Sequence, residues 1–177
     1  MRDDTLNYIF TRSGQRFCFE QPSSNAVIIE DIAASLSKIC RFTGHVRRFL
    51  SVAEHCVNAS RIVAPRFALE ALLHDAREAF IGDVSSPLKR VLPEYRRVDA
   101  LAHAAIVKAF DVPFVQSAEV TTVDLALLRH EAVSLISCNI DEFNLPPGLP
   151  VLKFKLACLP PHRAEAAFLR RYRELTE

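Results

Sequence analysis

The chain has 177 residues, half of them apolar, and a net charge of +1 at neutral pH. This length lets one domain bury a substantial core without disulfide staples. The apolar content argues against intrinsic disorder, and the nearly balanced charge argues against broad electrostatic binding of nucleic acid. We therefore expect one folded domain that forms no stable complex with nucleic acid.

The cysteines and the N-terminus indicate the compartment. Five cysteines are scattered along the chain without a Cys-x-x-Cys pair. This pattern is typical of reduced thiols that fill a core, not of a disulfide framework or a zinc ribbon. The N-terminus lacks the basic and apolar regions of a signal peptide, and no apolar run approaches the ~18 residues of a membrane span. These features predict a cytoplasmic protein without a membrane partner.

The first part of the chain predicts a hairpin followed by helices. In NYIFTRSGQRFCFEQP, two runs rich in aromatic and β-branched residues flank Ser13-Gly14, which is typical of a β-hairpin. Apolar residues then recur at helical spacing over residues 28–42. A second helix is expected to begin at Ser51, because Ser51 and Glu54 of the sequence SVAE form a capping box.

The rest of the chain continues with helices. A third helix is predicted to follow Pro65 and extend to about Phe80, and Pro87 suits the first turn of a short helix after Ser86. Longer helices fit residues 93–110 and about 118–136. The sequence thus predicts one compact all-α domain over residues 1–177. Its parts are a small N-terminal hairpin extension (1–25), a core that carries the candidate site (27–137) and a closing helix (160–177).

The third helix carries an unusual set of polar residues. Projected at about 100° per residue, Leu72, Ala76 and Phe80 share one face. His74, Asp75 and Glu78 share another. A solvated face with an ordinary His–Glu pair is the simplest interpretation. The apolar flanks and the adjacent His74-Asp75 pair favour a metal site instead, because an imidazole and a carboxylate are both metal ligands.

Two neighbouring helices supply further ligand candidates. His55 lies among apolar residues of the second helix, where a hydrogen-bonded core histidine is the alternative. Asp124 lies in an otherwise apolar stretch, and a buried carboxylate requires a partner because an unpaired buried charge is very costly. Two imidazoles and two carboxylates form a mixed nitrogen and oxygen ligand set. Such a set suits Zn²⁺, Mn²⁺, Co²⁺ or Fe²⁺ and is not a thiolate-selecting site.

The order His55, His74-Asp75, Asp124 resembles the H…HD…D signature of the HD-domain metal-dependent phosphohydrolases. The segments CRF, SVAEH and LLHDAREAFIGDVSSPLK are similar to one branch of that family, which contains bacterial 5'-deoxynucleotidases and small phage enzymes that hydrolyse deoxynucleoside triphosphates. The resemblance covers about residues 27–137. It implies an HD-type helical bundle, at least one divalent ion (Zn, Co, Mn or Mg) on those four ligands, and a homodimer or higher homo-oligomer.

The resemblance also implies residue roles in catalysis and phosphate recognition. Glu78 matches the general acid/base, with a hydrogen bond from a ligand imidazole as its alternative role. Arg41 and Lys89 match phosphate contacts, although most single basic residues are merely solvated. Phe42 occupies a position that often holds Trp in the deoxynucleotidase branch, where the ring stacks on the base; an ordinary core aromatic is the alternative.

Two further positions match contacts to the sugar. Asp83 resembles a carboxylate that accepts a hydrogen bond from the 3'-hydroxyl, and Gly82 before it permits a tight turn. Pro87 matches a residue that crowds C2' and disfavours ribonucleotides. The alternatives are a turn acceptor for Asp83 and a helix-start residue for Pro87.

We therefore expect an enzyme that cleaves the 5'-phosphate ester of a small deoxynucleotide and releases the deoxynucleoside and phosphate. A deoxynucleoside triphosphate triphosphohydrolase, with dATP favoured, is the alternative within the resemblance. Two other hypotheses remain open at this stage. One is an HD enzyme for a different phosphoester, and the other is a non-catalytic helical interaction module with a structural metal.

Overall fold

The computed structural model describes residues 7–177 and confirms the mostly helical fold with a two-stranded hairpin near its N-terminus. Residues 1–6 of the predicted hairpin extension lie outside the described residues. The hairpin pairs β1 with β2, and the remaining elements are helices and short 3-10 turns. The strands and α-helices are β1 Tyr8–Phe10, β2 Arg16–Cys18, α1 Ile29–Leu36, α2 Val52–Ile62, α3 Ala68–Leu73, α4 Glu78–Ile81, α5 Ser86–Val91, α6 Pro93–Phe110, α7 Ala118–Leu135 and α8 Pro161–Thr176.

The helix α2 lies at the centre of the fold and packs against α3, α7 and α8. Eight of its eleven residues are buried, including the polar residues Glu54 and His55. The hairpin covers one end of the core, where Phe17 is fully buried and its ring stacks on Phe80 with centroids 4.0 Å apart. No helix within residues 7–177 is both long and apolar enough to cross a membrane.

The predicted helix over residues 28–42 ends earlier than its apolar pattern indicates. α1 ends at Leu36 because the following segment pairs with the chain before α2: Cys40 forms an antiparallel bridge with Ser51. After this bridge, Phe42 and Thr43 both adopt positive φ angles, of 55° and 54°. A β-branched residue rarely adopts that conformation, so the turn after Arg41 is held by its surroundings.

The predicted capping box at the start of α2 is half right. The Ser51 hydroxyl accepts a hydrogen bond from the Glu54 N–H at 3.1 Å, as expected for an N-cap. The Glu54 carboxylate does not complete the box. It accepts hydrogen bonds from the N–H groups of Cys158 and Leu159, at 2.9 and 2.6 Å. Glu54 therefore attaches the segment before α8 to the central helix.

The predicted continuous helix from Pro65 to Phe80 is wrong, because it breaks between α3 and α4. Within the break, the N–H groups of Ala76 and Glu78 bond to carbonyls three residues earlier. The His74 imidazole also donates to the Ala71 carbonyl, at 2.8 Å. Such side-chain bonds compete with the regular helical ladder. The break lies at the candidate site, where both His74 and Glu78 are buried and not exposed to solvent.

The core holds fewer cysteines than expected. All five cysteines are free thiols, as predicted, but only Cys56 is buried, and Cys138 is exposed.

The longer C-terminal helices agree closely with their predicted bounds, because each is preceded by a clear start signal. Pro93 begins α6, and the Ser117 hydroxyl caps the start of α7 by accepting from the Val120 N–H.

Candidate metal centre

Four predicted ligand side chains converge between α2, α7 and the break after α3. The Nε2 atom of His55 lies 3.3 Å from His74 Nε2 and 3.1 Å from Asp124 Oδ1. Asp75 Oδ2 lies 3.2 Å from His74 Nε2. His55, His74 and Asp75 form a group that could hold a metal ion, with ligand atoms within 4.8 Å of one another. Asp124 is the most exposed of the four, so the centre is open on its side.

The hydrogen bonds of both imidazoles leave their Nε2 atoms for a cation. His55 Nδ1 lies 2.7 Å from Glu131 Oε1, and His74 Nδ1 lies 2.8 Å from the Ala71 carbonyl oxygen. Both partners are acceptors, so each imidazole donates from Nδ1, and its Nε2 either carries a proton that bonds to a neighbouring carboxylate or, once deprotonated, offers a lone pair to a metal ion. Two lone pairs at 3.3 Å repel each other unless a positive charge lies between them.

The spacing of the two nitrogens suits one ion. Zn–N bonds of about 2.0–2.1 Å place two tetrahedral ligand nitrogens about 3.3–3.4 Å apart. The observed separation of 3.3 Å falls in this range. The remaining donors are carboxylate oxygens, which together with two imidazoles form a mixed set typical of first-row divalent metals. The residues present therefore fit a divalent cation.

The electrostatics of the cluster favour added positive charge. Burial alone would lower the pKa of His74, but Asp75 and Asp124 outweigh burial and raise that pKa well above its ordinary value. Burial alone would raise the pKa of Asp124, but hydrogen bonds to His55 and His74 hold it well below its ordinary value. A potential that stabilises an imidazolium cation also attracts a metal cation.

Glu131 is a component of the site to which the sequence assigned no specific role. It is fully buried on α7, and its carboxylate accepts hydrogen bonds from His55 Nδ1 at 2.7 Å and from Arg41 Nε at 3.1 Å. Burial would raise the pKa of Glu131, but the charges of His55 and Arg41 lower it instead. The spacing contained a signal: Glu131 follows Asp124 by seven residues (131 minus 124), which is two turns on the same helix face.

Arg41 lies deeper than a solvated cation. Its side chain is 10% exposed, and besides Glu131 it approaches Asp75, with Nη1 and Oδ2 3.8 Å apart. Phe42 is half-buried beside it, with its ring centroid 5.7 Å from the Arg41 guanidinium carbon. The left-handed turn after Arg41 thus places one cation and one aromatic ring next to the ligand cluster.

Glu78 begins α4, three residues after Asp75, and is 3% exposed. Its Oε1 atom lies 3.5 Å from Lys89 Nζ, whereas its Oε2 atom is buried without a hydrogen-bond partner among the described residues. Burial and the charges of Asp75 and Asp83 raise its pKa well above the ordinary value, against the opposing effects of Lys89 and Arg41. The hydrogen bonds from His55 Nδ1 and His74 Nδ1 are accepted by Glu131 and by the Ala71 carbonyl. Glu78 therefore does not serve as the acceptor for a ligand imidazole, which was its alternative role.

The two predicted sugar contacts differ in their surroundings. Asp83 is half-buried, and its pKa is raised by burial and by Asp75, against the opposing charges of Arg41 and Lys89. Gly82 before it has φ 79° and ψ 158°, a region that essentially only glycine adopts, and its carbonyl accepts a hydrogen bond from Tyr95. Pro87 is exposed in the first turn of α5, as a helix-start residue is expected to be.

A groove of about 560 Å³ lies away from this centre, between the hairpin, α1 and α8. Its charged side chains already have protein partners: Arg12 pairs with Glu165, and Asp31 accepts hydrogen bonds from Ser13. These described charged side chains of the groove therefore differ from Glu78, whose Oε2 atom is buried without a hydrogen-bond partner within residues 7–177.

We expect substitution of one ligand to remove the metal. His55→Ala, Asp75→Ala and Asp124→Ala should each weaken affinity by more than the about 10–100-fold typical of outer-shell changes, because each deletes a ligand atom. Elemental analysis after gel filtration measures bound Zn, Co and Mn. His103→Ala is the matched control, since its imidazole bonds to the Phe114 carbonyl outside the centre. Equal metal content in all four variants would contradict this ligand set.

The fold and the site together define a class: a mostly helical protein with a buried cluster of histidines and aspartates that could hold a metal ion. No family model matches the chain. It is 39% identical over 176 residues to the uncharacterized protein YfdR of Escherichia coli K12, with 97% of each chain covered. It is also 29% identical over 181 aligned positions to an uncharacterized protein of Rhodobacter capsulatus, with 92% of each covered. The chain belongs to the same family as YfdR.

Proposed function

We propose that the protein is an HD-type metal-dependent phosphohydrolase that cleaves the 5'-phosphate ester of deoxynucleotides and releases the deoxynucleoside and phosphate. One juxtaposition carries the proposal. A cluster of metal-ligand atoms lies beside a buried carboxyl, that of Glu78, one oxygen of which has no hydrogen-bond partner in the part of the chain that the structure describes. A structural metal site has no need for such a group.

His55, His74, Asp75 and Asp124 would hold the ion, for which Zn, Co, Mn and Mg are the candidates. When bound, a divalent cation polarises a phosphoryl oxygen and lowers the pKa of a coordinated water molecule. The chain itself contributes the proton-transfer group. Burial and the charges of Asp75 and Asp83 raise the pKa of the Glu78 carboxyl well above its ordinary value, which favours the protonated form that a general acid needs.

The cations near Glu78 suit a phosphate group. Lys89 Nζ lies 3.5 Å from Glu78 Oε1, so a phosphate bound by Lys89 lies next to the proton-transfer group. Arg41 also borders the ligand cluster, with its Nη1 atom 3.8 Å from Asp75 Oδ2. A dianionic phosphate between these two cations is stabilised by charge-assisted hydrogen bonds.

The groups around the phosphate subsite suit a nucleoside. Phe42 provides a half-buried ring for stacking on a base, and Asp83 provides an acceptor for a sugar hydroxyl. The proposed role of Pro87, to exclude nucleotides with a 2'-hydroxyl, rests on the resemblance alone. The substrate is thus a small deoxynucleotide. We expect the enzyme to act as a homodimer or higher homo-oligomer without a nucleic-acid or membrane partner.

A substrate panel tests this proposal. The purified protein is incubated with Mn²⁺, Co²⁺, Zn²⁺ or Mg²⁺ and with deoxynucleoside monophosphates, deoxynucleoside triphosphates and the matching ribonucleotides, and products are separated by chromatography. We expect a deoxynucleoside and orthophosphate from the monophosphates. A deoxynucleoside and intact triphosphate from dATP would instead establish triphosphohydrolase activity. A metal-loaded protein that turns over none of these compounds would overturn the proposal.

A further inference from the structure

The carboxylate of Glu131 contacts two side chains of the centre, those of His55 and Arg41. Its Oε1 atom accepts a hydrogen bond from His55 Nδ1 at 2.7 Å, and its Oε2 atom accepts one from Arg41 Nε at 3.1 Å. The two oxygens therefore serve two different partners. One partner is a metal-ligand candidate, and the other is the cation assigned to phosphate. Glu131 contacts the Nδ1 atom of His55 and the Nε atom of Arg41, whereas His55 Nε2 and Arg41 Nη1 lie toward the ligand cluster.

Helix packing alone does not account for this carboxylate. Glu131 has no exposed surface, and removing a carboxylate from water is costly unless it is paired and hydrogen-bonded. Its neighbours on the same face of α7 are apolar residues such as Leu127 and Leu135, which pack without that cost. The compensation comes from the two side chains that form the centre.

We propose that Glu131 is the positioning residue of the metal centre, acting on His55 and Arg41 at once. Its bond to Nδ1 fixes the tautomer and the ring orientation of His55, so that the Nε2 lone pair points to the ion. Its bond to Nε fixes the edge of the Arg41 guanidinium and leaves the other edge toward Asp75 and the ligand cluster. The inference rests on the metal centre of the proposed function and assigns that centre a shared anchor.

Metal affinity measures this role directly. In Glu131→Gln, the amide can accept only one of the two hydrogen bonds and turns a donor toward the other partner. We expect about a tenfold to hundredfold loss of affinity for Zn²⁺ or Co²⁺, the range for an outer-shell partner of a ligand imidazole. The measurement is competition with a chromophoric chelator, without substrate, on protein whose fold is checked by circular dichroism.

Two further variants separate positioning from a general loss of packing. Glu54→Gln is the matched control, because Glu54 is a similarly buried glutamate that bonds to the backbone before α8 and to no residue of the centre. It should bind the metal within about threefold of the parent protein, because it is no outer-shell partner. Glu131→Leu combined with Arg41→Met replaces the buried ion pair with apolar side chains, an exchange that folds tolerate well. It leaves His55 Nδ1 without its acceptor and should lose affinity.

The outcomes distinguish this inference from the proposed function. Parent-like affinity in a folded Glu131 variant, or an equal loss in Glu54→Gln, would overturn the positioning role while leaving the phosphohydrolase proposal intact. A parent protein that binds metal but hydrolyses no nucleotide would overturn only the proposed function. A parent protein that binds none of the tested metals would overturn both.

Discussion

Glu78→Gln should abolish most of the phosphohydrolase activity while leaving metal bound and the fold more stable. A group that transfers a proton in the transition state contributes about 10²–10⁴-fold to the rate, so we expect a loss of that size in kcat. Metal content should be unchanged, because the four proposed ligands remain. The readouts are initial rates on the preferred deoxynucleotide and elemental analysis of the same samples.

The expected gain in stability follows from the surroundings of the carboxyl. Glu78 is 3% exposed, and one of its oxygens lacks a hydrogen-bond partner within residues 7–177. A neutral amide removes the repulsion from Asp75 and Asp83 and is less costly to bury than a charge. The free energy of unfolding of the metal-free protein should rise by on the order of 1 kcal/mol at neutral pH. Denaturant titration measures this change.

Glu70→Gln provides the opposite control. Glu70 is also buried, but its carboxylate is used structurally, because it accepts a hydrogen bond from the Ser117 N–H at the start of α7. Its substitution should lower stability and leave kcat unchanged. If Glu78→Gln instead retained full activity, or lost its metal together with its activity, Glu78 would not be the proton-transfer group.

The sequence singled out the candidate ligands, which the structure brings together, partly because two of them stand out against apolar neighbours. His55 and Asp124 occupy otherwise apolar helical stretches, and the cost of burying them implies partners. Helix starts were predictable for a similar local reason, since Ser51 and Pro93 mark them directly. These signals depend only on the nearest residues in the chain.

The errors have non-local causes. α1 ends early because Cys40 pairs with Ser51, eleven residues away (51 minus 40). The spacing of apolar residues along the sequence does not indicate such a bridge. The third helix breaks where the His74 imidazole donates to the Ala71 carbonyl, and His74 also contacts His55 and Asp124, which are distant in the chain. Glu131 received no specific role because its hydrogen-bond partner Arg41 lies ninety residues earlier in the chain (131 minus 41). Side-chain partners at such separations are visible only in three dimensions.

The ion pair between Arg41 and Glu131 gives the largest expected effect on stability. Arg41→Gln leaves the fully buried Glu131 carboxylate without its cation, and Glu131→Gln leaves the buried guanidinium without its main partner. Breaking a buried pair by removing one member typically destabilises by about 3–5 kcal/mol. We expect each single variant of the metal-free protein to lose free energy of unfolding in that range, measured by denaturant titration.

The variant that combines Arg41→Gln with Glu131→Gln shows whether the two side chains stabilise the fold as a coupled pair or contribute independently to the free energy of unfolding. With both charges removed, no unpaired ion remains buried, so the combined loss should be smaller than either single loss. The pair of Arg12 and Glu165 is the control, because Arg12 is 64% exposed and such pairs contribute about 0–1 kcal/mol. Additive losses at Arg41 and Glu131 would mean that the two side chains are stabilised separately by Asp75 and His55. The shared anchor at the metal centre would then lose its physical basis.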